Sequence, residues 1–333
     1  MANAIFSRHH AVKRLVSLLL GTCLVAASAL AEYQDPIDLA ALKMPSTQQS
    51  LLLDAAQAGN RLVVVGERGH ILYSDDVGQS WHQADVASRN QLNAVQFFGE
   101  QQGWAVGEDG VIVHTSDGGR HWQRQFDSRT ASTQGPLLDV AFTSQLEGFA
   151  VGVFNKVVHT TDGGLSWHPW QEHVDNLDEW HLFALAATTP DKLYIASEMG
   201  LIFRSRDGGN SFDAVQSDHD GSFHGILARQ GPDGEDQLIL FGVGGVVFTS
   251  HDGGDSWSRL KTDTEDGLSS GTWLADGSAL LVGANGVVVT IDNSLRLTTV
   301  SHTESGLPLS SVVAPSSLQR IVVGLGGIVP LAK

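Results

Sequence analysis

The chain has 333 residues and carries 37 acidic against 20 basic side chains, a net charge of −17 with histidine neutral. Charge of this sign repels nucleic-acid phosphates and anionic lipid headgroups, so a nucleic-acid-binding function is excluded. There are 37 glycines against 9 prolines and a single cysteine, which points to many glycine-made turns and excludes a disulfide framework.

The first element in chain order is a processing signal. Arg8, Lys13 and Arg14 form a positive start, an apolar run follows from Leu15 to Ala31, and Ala29-Leu30-Ala31 ends it as a small-residue cleavage site. The run is slightly short of the roughly 20 residues a spanning helix needs. Leu20-Gly21-Thr22-Cys23 is a poor lipoprotein signal because Cys23 sits in mid-run. Cleavage after Ala31 is therefore expected, with export to the periplasm. The leader holds three of the 20 basic residues and no acidic one, which leaves 17 against 37 and a net charge of −20. It also holds the only cysteine, so the exported chain has neither a thiol nucleophile nor a haem-attachment site.

Residues 36–50 precede the first repeat. Ile37-Asp38-Leu39 alternates as an edge strand does. The segment is expected to complete the last repeat unit, whose own sequence runs out after a third strand, and so to close an open edge.

Residues 51–333 are dominated by an internal repeat. Thr115-Ser116-Asp117-Gly118-Gly119-Arg120-His121-Trp122 recurs as SDDVGQSW ending at Trp81, TTDGGLSW ending at Trp167, SRDGGNSF ending at Phe212 and SHDGGDSW ending at Trp257. A worn copy spans Thr290 to Ser294. Ten residues before the aspartate of each intact copy lies a second signature, apolar-Gly-x-x-Gly-apolar. It begins at Gly66, Gly107, Gly152, Ser197, Gly242, Gly283 and Gly324, in steps of 41 or 45 residues. Its closing glycine is replaced once, by Asn155. Asparagine tolerates positive φ best after glycine, so this position is expected to be left-handed.

Each unit reads as four strands. Around 92–127 they are Leu92 to Phe98, Gly103 to Gly107, Val111 to Thr115 and His121 to Gln125, with turns between. Four strands in a period of 41–45 residues, seven times over, specify an all-β, seven-bladed β-propeller of four-stranded blades. The units run approximately 51–84, 92–127, 137–171, 182–216, 223–260, 270–300 and 309–333, one domain from residue 32.

The Asp boxes read as folding devices. Asp76, Asp117, Asp162, Asp207 and Asp252 can each accept backbone N–H groups across the turn. Gly78, Gly119, Gly164, Gly209 and Gly254 supply positive φ. Trp81, Trp122, Trp167, Phe212 and Trp257 cover the hairpin and pack into the blade. One carboxylate per turn is too few for calcium, which takes 6–8 oxygens. No cofactor or metal is expected.

At this point the sequence resembles a known group. The two signatures together are similar to the bacterial neuraminidase repeat. The fuller pattern, with Gly103-Trp104-Ala105-Val106-Gly107-Glu108-Asp109-Gly110 ahead of the box, resembles the photosystem II stability and assembly factor family over residues 50–333. The resemblance implies a seven-bladed propeller in a thylakoid lumen or periplasm that holds a membrane-protein subunit during assembly, without catalysis. Photosynthetic members use an arginine-rich patch. Here the nearest cluster is Arg120, Arg124 and Arg129, on a chain of net charge −20, which points to some other envelope complex, such as a transporter. The protein is read as a monomer, peripheral to a membrane at most.

An enzyme reading finds few parts. A sialidase needs an arginine triad and a tyrosine nucleophile. Of the three tyrosines, Tyr33 is in the N-terminal tail, Tyr194 shares the core repeat position of Trp104 and Phe149, and Tyr73 shares that of His114 and His159. A glycosidase with two carboxylates in the funnel, or a glycan-binding propeller, is the alternative function. His114 and His159 fall short of the three or four ligands zinc takes. The linker Gln171 to His181 concentrates acid, imidazole and aromatic groups. Trp170, His173, Trp180 and His181 lie outside the repeat positions and are candidate partner contacts.

Overall fold

The computed structural model describes residues 33–130, 134–316 and 319–331; the leader and its cleavage site fall outside them. From Asp35 onward the chain is one compact unit. It is a seven-bladed propeller in which each blade is an antiparallel meander. The innermost strands are Leu52–Ala58, Leu92–Phe98, Leu137–Phe142, Leu182–Thr189, Phe223–Gln230, Leu268–Trp273 and Leu309–Val313. Each lies beside the innermost strand of the next blade, and Leu309–Val313 lies beside Leu52–Ala58, so the ring closes. In the second blade the observed strands are Leu92–Phe98, Gln102–Gly107, Ile112–Thr115 and His121–Phe126, within a residue of the expected ones.

Second strands such as Arg61–Gly66 do not alternate in burial: Leu62, Val63, Val64 and Val65 are all buried. Neighbouring blades cover both faces of each blade, so both faces must be apolar, as in a sheet buried on two sides.

The glycine signature has two separate causes. Gly107 opens it with extended backbone, but a Cβ there would lie 1.9 Å from the Gln91 carbonyl oxygen. Close approach of the incoming chain, not φ, demands glycine. The closing position is left-handed as expected, with φ 65° at Gly110 and 56° at Asn155. The residue before it is left-handed too: Asp109 has φ 54° and ψ 21°. Two consecutive left-handed residues make a type I′ hairpin turn, whose twist matches that of the flanking strands.

The end of the propeller differs from expectation. The seventh blade has three strands among the described residues, Leu309–Val313, Ile321–Gly324 and Gly327–Pro330. The N-terminal segment does not supply its fourth. It meets that blade as the turn Thr47–Gln49, where the Gln48 carbonyl packs on Gly327. The reason lies upstream. Ile37 is fully buried with Val63, Val65, Val86 and Trp122 at the joint of blades one and two. Arg89 N–H donates to the Pro36 carbonyl at 2.9 Å, and Ala41 N–H to that of Val86 at 3.0 Å. Three alternating residues do not distinguish a strand from a turn with one apolar side chain. A further strand appears that the repeat does not contain: Asp85–Val86, leaving blade one, pairs in parallel with the outer strand of blade two.

Candidate functional site

An antiparallel meander sorts its connections onto two faces. The Asp boxes and the turns between first and second strands share one face. The turns between second and third strands, and the connections that enter each first strand, share the other, called here the entry face.

On the Asp-box face the motif closes on itself. Asp117 accepts from the N–H groups of Arg120 and His121 at 3.0 and 3.1 Å and from the Thr115 hydroxyl at 2.8 Å. In Asp76 and Asp162, hydrogen bonds from Ser80 and Ser166 hold the carboxyl down at about 2. At Asp117 and Asp252 burial opposes this, and bonds from His121 and Ser256 overcome it. The carboxylates of Asp76, Asp162, Asp207 and Asp252 likewise accept from within their own boxes, whereas the carbonyls of Gly118, Gly209 and Gly253 accept from neighbouring blades. The aromatic ring bonds to its own box, as Trp81 Nε1 does to the Gly78 carbonyl and Trp122 Nε1 to that of Gly119, and also reaches the preceding blade. Trp122 packs with Val63 and Val65 of blade one, Trp81 with Val313 and Ile321 of blade seven, and Phe212 with Phe149 of blade three. In the worn copy Asp292 still accepts from Ser294 and Arg296 N–H, and the partly buried Leu297 stands at the position of the aromatic residue, with buried Leu295 in the same cluster.

The repeat-position residues are spent in packing. Tyr194 is buried and donates to Asp236 at 2.6 Å, a carboxylate that also meets Lys192 at 3.3 Å between blades four and five. The Arg61 guanidinium lies 4.7 Å above the Tyr73 ring. His114 bonds to Gln102 at 2.8 Å, whereas His159 stacks on Phe149 at 4.2 Å and meets Glu147 at 3.3 Å. Among the described residues no three His, Cys, Asp or Glu side chains converge as metal ligands would.

The linker between blades three and four splits its four candidate contacts. Trp170 turns inward: its ring stacks on His173 at 3.7 Å, and its Nε1 donates to Gly209 in the Asp box of blade four at 2.8 Å. His173 Nδ1 meets the carbonyl of Asn210 at 2.7 Å. These two residues clamp one blade to the next. Trp180 and His181 lie at the other end, on the entry face. Asn176 accepts from Trp180 N–H at 3.0 Å and donates to Asn155 at 3.0 Å, which ties the linker to the type I′ turn of blade three. Both the N–H and Nδ1 of His181 meet Glu198 Oε2 at 3.0 Å.

His181 belongs to a row of rings. Exposed Phe154 lies 4.6 Å from it, Phe183 6.1 Å on its other side, and His224 5.2 Å from Phe183. Phe183 and His224 line a cavity of about 210 Å³ at the propeller axis, together with Asp54, Asn93 and Asp139. The same backbone irregularity builds this cavity in every blade: the register of each first strand shifts one residue after its start, at Leu52/Asp54, Leu137/Asp139 and the five equivalents. A bulge of this kind re-aims side chains. Asp54 Oδ2 accepts Val95 N–H of blade two at 2.8 Å, and Oδ1 accepts the Ser311 hydroxyl of blade seven at 2.8 Å. Asp139 accepts Leu185 N–H of blade four at 2.7 Å. Burial raises Asp54 to about 6. Burial, helped by the Asp54 charge, raises Asp139 to about 7. Burial also lowers His224.

Sequence reading missed Phe154, Met199, Asp54 and Asp139. A signal existed for each pair. Phe154 and Met199 stand in the turn position that holds Asp109 and Asn285 elsewhere, and Asp54 and Asp139 interrupt apolar first strands.

The chain is 33% identical over 67 residues to the photosystem II assembly lipoprotein Ycf48 of Synechococcus sp. (strain CC9902), covering 19% of this chain and 20% of that one. It is 31% identical over 67 residues to the chloroplastic photosystem II stability/assembly factor HCF136 of Oryza sativa subsp. japonica, covering 18% and 16%. The chain thus spans about a fifth of the length of the curated relatives it matches. A solved structure described as YCF48 bound to D1 peptide superposes with a TM-score of 0.66 at 19% identity, covering 90% of this chain and 98% of that one, a likeness of fold. The pattern of the family described as Photosynthesis system II assembly factor YCF48 matches residues 37–132 and 123–292, most of the chain, and the protein belongs to that family.

Proposed function

We propose that the protein is a non-enzymatic, exported scaffold that binds a membrane-protein complex and aids its assembly or function. Family membership across 37–292 carries this reading. A fold relative bound to a peptide adds to it, because a rigid ring with variable connections on one face suits peptide capture. The leader at 1–31 supports a periplasmic site of action. The entry face is the working side in this reading, since the repeat carboxylates of the other face are used within the Asp boxes. The client is a photosystem or, in a bacterium without one, another envelope complex such as a transporter.

The test is affinity co-purification of the exported protein from its own membranes after mild cross-linking. One recurrent membrane complex supports the scaffold reading and names the client. A well-folded bait that enriches none overturns it.

The alternative, a carbohydrate-active propeller, draws on one observation: Asp54 and Asp139 share the axial cavity. Against it, both carboxylates accept backbone N–H groups of the neighbouring blade, so they tie blades together and are not free for general acid–base work. Turnover of a glycoside that is lost on Asp139→Asn without loss of folding would favour this alternative.

A further inference from the structure

The type I′ turns of the entry face have nearly identical backbones but different tips. Arg68, Asp109, Phe154, Met199, Gly244 and Asn285 occupy the first left-handed position of blades one to six, with φ between 53° and 64°. Glycine, asparagine and aspartate suit that position; a bulky apolar residue there is strained. Phe154 and Met199 are nevertheless large and apolar, and are 62% and 46% exposed. Folding gains little from either choice: local backbone energy disfavours them, and their exposure limits any gain from burial. Residues kept against local preference in this way point to function.

Their turns adjoin: His181, beside the Phe154 ring, bonds to Glu198, the residue before Met199. Leu177, 95% exposed, lies in the linker that Asn155 and Asn176 pin to the turn of blade three. Val243 extends the apolar arc onto blade five, packed beside Gly221. The ring row from Phe154 through His181 and Phe183 leads inward to the axial cavity.

The charge beside Phe154, Leu177 and Met199 is acidic, and the exposed basic residues Arg259 and Lys261 stand at its far edge, beside the Gly244-Gly245 turn of blade five. Asp178, Glu179, Asp218 and Asp220 are exposed in the two linkers that flank blade four, and none has a salt bridge among the described residues. On the Asp-box face, by contrast, Asp75 is paired with Arg61 and Arg120, and Asp255 with Arg204 and Arg206. The lysine nearest the Phe154 turn in sequence, Lys156, is fully buried and bonded to Ser128 and the Gly135 carbonyl. It brings no positive charge to the surface.

We propose that the entry face of blades three and four is a docking surface for an extended, basic polypeptide segment of a partner protein, with apolar side chains on Phe154, Leu177 and Met199 and lysine or arginine facing Asp178, Glu179, Asp218 and Asp220. Acidic peptides, nucleic acid and anionic lipid are disfavoured by the same charge. The proposal deepens the scaffold reading and rests on it for the identity of the partner, not for the chemistry of the surface.

The test uses the exported protein and fluorescein-labelled synthetic peptides, read by fluorescence anisotropy at low and high salt. One peptide sets phenylalanine and leucine among lysines and serines; a second replaces its lysines by glutamate; a third replaces its apolar residues by glycine. The first peptide is expected to bind at low salt, to weaken as salt rises, and to outbind both others by about tenfold or more. The double variant Phe154→Asn, Met199→Asn keeps residues that the turn tolerates, so it folds, and is expected to lose about tenfold in affinity. Asp178→Asn with Glu179→Gln should flatten the salt dependence. Equal binding of the lysine and glutamate peptides, or unchanged binding by the double variant, overturns the proposal. Co-purification separates the two readings: a membrane complex retained by the double variant keeps the scaffold and rejects this surface, whereas selective peptide binding without any co-purified complex keeps the surface and rejects the scaffold.

Discussion

The carboxylate of Asp54, on the innermost strand of blade one, accepts the backbone N–H of Val95 on blade two at 2.8 Å while its other oxygen takes the Ser311 hydroxyl of blade seven. One side chain thus links three consecutive blades around the axis. The link is made in a place where burial raises the group to about 6.

That value has a consequence for stability against pH. The folded value lies above the ordinary 3.8, so between about pH 4 and 6 the folded protein binds more protons than the unfolded one. The stability tied to this protonation is present below pH 4 and is lost as the pH rises through the folded value. Asp139, raised to about 7, acts in the same direction and extends the window. Asp54→Asn keeps an acceptor for Val95 N–H and cannot ionise. The melting temperature of this variant should depend less on pH between about 4 and 7 than that of the wild type, and its relative gain should grow through pH 6 and level off above about pH 7. Thermal melts across that range check it; parallel curves would refute it.

The Asp boxes act in the opposite direction. Asp76, Asp162 and Asp252 are held at about 2, below the unfolded value. Their contribution is present above about pH 4 and is lost as the pH falls through 2. Asp162→Asn should therefore narrow the difference in melting temperature between pH 5 and pH 2.5 relative to the wild type, in the same assay.

Trp122 is 2% exposed, meets Phe97 edge-on at 5.9 Å and packs on the blade before its own. Trp122→Ala should cost about 3–5 kcal/mol, the usual range for a buried aromatic. Because the ring sits between blades, hydrogen exchange should rise in strands of blade one as well as blade two.

At the N-terminus, burial should outweigh charge. Asp38 is paired with Arg124 at 2.8 Å and Arg129 at 2.6 Å, but all three groups are partly exposed. Asp38→Ala should cost little, because solvent screens an exposed ion pair. Ile37 is fully buried, and Ile37→Ala should cost about 2–5 kcal/mol. Chemical denaturation of the two variants side by side decides the order.

Relief of turn strain is separable from binding. Phe154→Asn should leave stability unchanged or raise it by up to about 1 kcal/mol, because asparagine adopts the left-handed position more readily. A clear loss of stability would mean that the Phe154 ring contributes to packing through His181.

The sequence by itself determined what is local and repeated. Seven glycine signatures stand for seven blades, Asp117 with Thr115 and His121 closes a turn within seven residues, and Asn155 in place of glycine betrays a left-handed backbone. All of these are short-range: a carboxylate two to four residues from its donors, or a φ at one residue, needs no neighbour to be read. The tertiary structure alone decided what crosses between blades. It turned Trp122 and Trp81 onto the preceding blade, caught Ile37 at a joint instead of extending it as a strand, and sent Trp170 inward while leaving Trp180 on the entry face. It also set Asp54 and Asp139, distant in the chain, into one axial cavity, and gathered Phe154, Leu177 and Met199 from two blades and a linker into one exposed arc. Those outcomes depend on which face of each blade its neighbours cover. Closure of the ring settles that, and no periodicity along a single strand encodes it.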